Sequence, residues 1–150
     1  MAILLDHLIV PSHHPVPSAE SLAGLLDVPW EAEVGHFTPV YVNDTLTLDF
    51  AERDSFASHH YCFHASDAEF DGIFARVRTA GIPYRSTPRG PDDLQLNTRL
   101  GGRNFYWTDT DGHIWEVLTY AFTGGRGEWA LIKPGEIGLT PTERTAEGIH

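Results

Sequence analysis

The chain has 150 residues, 41% hydrophobic and 11% aromatic, enough to bury one core and too apolar for a largely disordered protein. Its formal net charge of −11 argues against nucleic acid and anionic membrane surfaces as partners, because both reward clustered Lys and Arg. No run reaches the ~20 apolar residues of a membrane span, MAILLDH lacks a basic signal-peptide region, and the single Cys62 cannot close an internal disulfide, so the expectation is a soluble cytoplasmic protein.

The Leu, Ile and Val run predicts a first strand over Ile3 to Val10, ended by Pro11, Ser12 and His13. Ser18 is placed to cap a short helix that carries Leu22, Leu25 and Leu26 at helical spacing and ends before Pro29. Val34 to Val42 and Thr45 to Phe50 then alternate as two strands, and Asn43-Asp44 divides them. Asn43-Asp44-Thr45 matches a glycosylation sequence, but without a signal peptide it reads as a turn.

The second half repeats this order. A strand is predicted at His59 to Ala65, and a helix opened by Ser66 or Asp67 with Phe70, Ile73, Phe74 and Val77 on one face. Gly81 and Pro83 end it. After a loop rich in Pro, Gly and Arg, strands are predicted at Asn104 to Thr108 and His113 to Thr119, joined by a turn in which Gly112 supplies a positive φ. The matched order suggests an internal duplication, with modules of about 3–50 and 57–120 in one domain over 3–120. Residues 121–150 hold Gly124, Gly125, Gly127, Pro134, Gly135, Gly138 and Pro141 with few apolar residues, and are expected to form a C-terminal extension without regular structure.

Six of the ten basic residues, Arg76, Arg78, Arg85, Arg89, Arg99 and Arg103, fall in one stretch. They read either as a solvated helix and loops or as a local positive region that draws an anionic substrate.

The chemistry concentrates in three strands. Strand alternation puts His60, Cys62 and His64 on one face of theirs, and groups Glu116 with Ile114, Leu118 and Tyr120. A carboxylate among apolar neighbours costs several kcal/mol unless a cation, an Arg or a metal ion answers it. His7 interrupts the apolar first strand in the same way. Each histidine alone is satisfied by a single backbone hydrogen bond, whereas two imidazoles and a carboxylate together compose a facial triad that leaves open positions for substrate or oxygen.

Tyr106-Trp107-Thr108-Asp109-Thr110-Asp111-Gly112-His113-Ile114-Trp115-Glu116 resembles the last hairpin of the vicinal oxygen chelate superfamily, which comprises the glyoxalases, fosfomycin- and bleomycin-resistance proteins and extradiol dioxygenases. His60-Tyr61-Cys62-Phe63 resembles that family's fifth strand and Asp6-His7-Leu8-Ile9-Val10 its first. Thr110 replaces the usual Pro of the turn, and residues 121–150 have no counterpart. The resemblance implies an α+β fold of two βαβββ modules forming a cup-shaped mixed sheet around a metal site. It implies that His7, His60 and Glu116 bind one divalent ion, Fe, Mn, Ni or Zn, within one chain or across a homodimer.

Asp49 lies near the position of a fourth ligand in glyoxalase-type members, but is one methylene shorter and reads better as a neighbour of the ligands. Tyr106 is a candidate to contact substrate or donate a proton, or else packs in the core. His64 is a candidate for acid–base work, while His13 and His14 read as surface residues and His36, His59 and His113 receive no role.

The resemblance implies a metal-dependent enzyme that binds two neighbouring oxygens of a small anionic or aromatic substrate. Ring-opening dioxygenation, lyase or isomerase chemistry on a thiol adduct, and epoxide opening share that mechanism. Three protein ligands favour the first, and a ligating Asp49 the second. The alternative is a metal-free protein that sequesters an antibiotic or other aromatic ligand on Trp30, Trp107, Trp115 or Tyr106.

Overall fold

A computed structural model describes residues 3–99 and 101–120, and the same order of elements occurs in it twice, once in each of two units, Met1–Ser58 and His59–His150. The expectation for residues 121–150 lies outside the described residues.

The first unit contains β1 (His7–Ser12), α1 (Pro15–Leu26), β2 (Thr38–Asn43) and β3 (Leu46–Glu52). Its sheet runs β1-β3-β2, with β1 parallel and β2 antiparallel to β3. The first strand starts later than the apolar run predicts and continues through Pro11. As an edge strand, β1 tolerates a proline that a central strand would not, and Ile3, Leu4 and Leu5 are exposed ahead of it.

The first helix begins three residues before the expected Ser18 cap. Pro15 occupies its first turn, where a fixed φ suits the helix and the missing N–H costs nothing. Ser18 therefore lies inside the helix, accepting a hydrogen bond from the Ser12 hydroxyl at 3.1 Å. Ala19, Leu22, Ala23 and Leu25 are buried, as are Val10, Val40, Leu48 and Phe50 of the strands.

The turn at Asn43 forms as expected, since its Oδ1 accepts from the backbone N–H groups of Thr45 and Leu46. The strand predicted from Val34 is shorter, because Gly35 (φ 64°) folds Val34 back onto Phe37. The extra strand of this module is reduced to an isolated bridge between Trp30 and Val40.

The second unit contains β4 (His60–His64), α2 (Asp67–Thr79), β5 (Asn104–Thr108) and β6 (Ile114–Leu118). Its sheet repeats the pattern as β4-β6-β5, with β4 parallel and β5 antiparallel to β6. Ser66 caps α2 through a reciprocal capping box with Glu69. The helix buries Phe70, Ile73 and Val77, and the Phe70 and Phe74 rings meet Phe105 at 5.4 and 5.3 Å. Isolated bridges from Arg85 to Tyr106 and from Asn97 to Asn104 take the place of the extra strand.

The α+β class and the duplicated module order thus match the sequence reading. No helix among the described residues is long and apolar enough to cross a membrane.

Candidate functional site

Pairing in the second unit decides which side chains share a face. Glu116 lies opposite Cys62 on one neighbouring strand and Tyr106 on the other, while His60 pairs with Ile114 and Asn104 with Leu118. Residues in register point the same way, so His60, Cys62, Asn104, Tyr106 and Glu116 occupy one face of the sheet. Tyr61, Phe63, Phe105, Trp107, Trp115 and Val117 occupy the other.

On the first face Glu116 is fully buried, at 0% exposure. His60 Nε2 stands 3.0 Å from its Oε1, and Asn104 Nδ2 donates to its Oε2 at 3.1 Å. The same amide nitrogen donates to the Tyr106 hydroxyl at 3.1 Å, and the His60 and Tyr106 rings lie 5.8 Å apart.

Burial, followed by the Glu116 charge, drives the Tyr106 phenol far above its ordinary range, so it stays protonated and acts as a hydrogen-bond donor rather than a base. Cys62 keeps an exposed edge, yet its packed surroundings and the Glu116 carboxylate push its thiol up as well. It remains neutral and is a poor nucleophile.

In the first unit, His7 pairs with Thr47 and Ile9 with Asp49, so His7 and Asp49 lie on the same face of that sheet. His7 is exposed, and its Nδ1 is 2.8 Å from Asp6 Oδ2. That hydrogen bond, opposed by desolvation and helped by the charges of Asp6 and Asp49, raises the imidazole pKa above its ordinary value. The setting is electronegative and favours a cation.

The donor set fits a borderline divalent metal. Ligand bonds of ~2.1 Å meeting near a right angle place two donor atoms ~3 Å apart, and His60 Nε2 and Glu116 Oε1 are 3.0 Å apart. A fully buried carboxylate beside an imidazole and an amide also calls for positive charge to answer it. Among the described residues, neither unit by itself gathers three His, Cys, Asp or Glu side chains able to hold an ion. Of the three residues expected as ligands, His60 and Glu116 lie in the second unit and His7 in the first.

His64 lies four residues beyond His60, roughly 13 Å by strand rise, and its Nε2 is 3.3 Å from the Thr119 carbonyl. Trp107 and Trp115 are buried on the opposite face, where Trp115 stacks on Tyr61 and Phe63, so neither is a platform for a ligand. Two of the clustered arginines serve the fold. Arg85 is buried and holds Pro88 O and Asp92, and Arg103 pairs with Asp67 and Asp71 over the Phe70 ring.

The sequence reading passed over two positions. Asn104 shares alternation with Tyr106 two residues on, and the hairpin register would have placed it beside Glu116. Asp109 accepts from the backbone N–H groups of Asp111 and His113 and from Trp115 Nε1, fixing the turn that presents Glu116. His113 is fully buried, and its Nδ1 accepts from the His59 backbone N–H.

No protein-family model matches the chain, and a search of curated proteins finds no match. Among solved structures, the chain is similar to Oxidase ChaP-H1, with 37% identity and a TM-score of 0.74 over 81% of this chain and 98% of that one. The fosfomycin resistance protein FosX from Mesorhizobium loti aligns at 22% identity and a TM-score of 0.62, covering 83% of this chain and 98% of that one. A FosX mutant from Listeria monocytogenes, complexed with Mn(II) and a dihydroxypropylphosphonic acid, aligns at 17% identity with a TM-score of 0.62, covering 85% and 99%. At these identities the two resistance proteins establish likeness of fold alone.

Proposed function

The chain belongs to the vicinal oxygen chelate superfamily, and we propose that it is a metal-dependent enzyme that oxidises a small substrate through two neighbouring oxygens. Oxygen-dependent cleavage of a catechol-like ring is the reaction this reading favours. The observation that carries it is the fully buried Glu116 carboxylate with His60 Nε2 3.0 Å from its Oε1. The similarity to an oxidase at 37% identity supports oxidation over lyase or isomerase chemistry.

In this reading His7, His60 and Glu116 hold one divalent ion. When bound, such an ion supplies Lewis acidity and open positions for two substrate oxygens and dioxygen. Asp49 stays out of the ligand set and, with Asp6, biases His7 towards a cation. Tyr106, kept protonated by burial, turns its proton from the Glu116 carboxylate to a substrate oxygen on which charge develops. The active form is a homodimer.

Oxygen uptake by Fe(II)- and Mn(II)-loaded protein across a panel of catechols tests the reading. Metal-dependent uptake with a ring-opened product is expected. Tight binding of the same catechols by metal-stripped protein, with no turnover under any loading, would replace the enzyme with a ligand-sequestering protein.

A further inference from the structure

Building on that metal reading, we infer that Asn104 is a positioning residue that commits Glu116 to bind through one oxygen only and fixes the Tyr106 hydroxyl beside it. Asn104 is 1% exposed at the start of β5, and its backbone N–H and C=O both bond to Asn97 at 3.0 and 2.8 Å. The side chain therefore leaves the strand from an anchored point.

Its two amide protons are both spent on the site. One goes to Glu116 Oε2 and the other to the Tyr106 oxygen, each at 3.1 Å. The amide cannot turn over, because its carbonyl would then face the Glu116 carboxylate, which offers no proton.

The arrangement costs stability. Asn104 Oδ1 is buried with no hydrogen-bond partner among the described residues, and a residue selected for packing alone would not leave an acceptor orphaned. What the amide secures is an asymmetric carboxylate. Oε2 is occupied by Asn104, and Oε1 is left facing His60 Nε2. The phenol oxygen, having accepted from Asn104, keeps its own proton towards the Glu116 carboxylate.

Co(II) reports this directly, since its visible absorption depends on coordination number and its uptake can be titrated without turnover. Asn104→Asp keeps the shape but cannot donate, and Asn104→Ala removes the amide. Both variants are expected to bind Co(II) 10- to 100-fold more weakly and to show an altered band intensity as the freed carboxylate changes its mode of binding. Urea titration of the metal-free variants identifies which of them folds, and one folded variant suffices.

Wild-type Co(II) affinity and an unchanged spectrum in a folded variant would overturn the role of Asn104 and leave the metal reading intact. Wild-type protein that takes up no Co(II) would overturn both.

Discussion

Replacing Glu116 by Gln separates a carboxylate kept for binding from one kept for stability. If the pair with His60 were structural, removing one partner of a buried ion pair would cost ~3–5 kcal/mol. The geometry predicts otherwise. A glutamine oxygen can still accept from Asn104 Nδ2, where Oε2 does now, and its amide can donate to His60 Nε2 3.0 Å away. The desolvation of a fully buried charge disappears, so the metal-free variant should unfold within about 1 kcal/mol of wild type or be more stable. Metal at a hundred times its Kd should add ~2.7 kcal/mol to wild type, or roughly 5–10 °C in Tm, and nothing to the variant. Urea and thermal unfolding with and without metal provide the comparison. A loss of 3 kcal/mol or more in the metal-free variant would refute the reasoning.

Two further outcomes follow from the same unit. Asp109→Ala strips the acceptors from two backbone N–H groups and from the indole of Trp115, which is 1% exposed; a loss of ~2–4 kcal/mol is expected in urea unfolding monitored by tryptophan fluorescence. Metal-free protein should lose stability as pH rises above about 9, because the folded state holds the protons of Cys62, Tyr106 and Tyr61, the last pushed up to about 12, while the unfolded chain releases them near 9 to 10. Stability that is level from pH 8 to 11 in a series of unfolding curves would show that these groups are not held as described.

Alternation made much of this unit legible. It put His60 with Cys62, and Glu116 with Ile114 and Leu118, and the register of β4, β5 and β6 agrees. Ser66 or Asp67 was expected to open the second helix, and Ser66 does so, its hydroxyl accepting from the Glu69 backbone N–H.

The first unit was harder to read where local signals competed. Pro11 looked like a strand end but sits in an edge strand, and Ser18 looked like a cap where Pro15 already opens the helix. The extra strand of each module dissolved into bridges, a matter of pairing partners that propensity does not encode. Asn104 was missed for a related reason. Its importance comes from where Glu116 and Tyr106 stand relative to it, and nothing in its own sequence neighbourhood says so.

The most direct test of the account is the metal content of protein purified without a chelating tag, measured beside His7→Ala, His60→Ala and Glu116→Ala. The account predicts about one equivalent of a divalent transition metal in wild type and its loss in each of the three variants, all of them folded. Wild-type protein without metal, or a His7→Ala variant that retains it in full, would contradict the claim that these three residues form one metal centre.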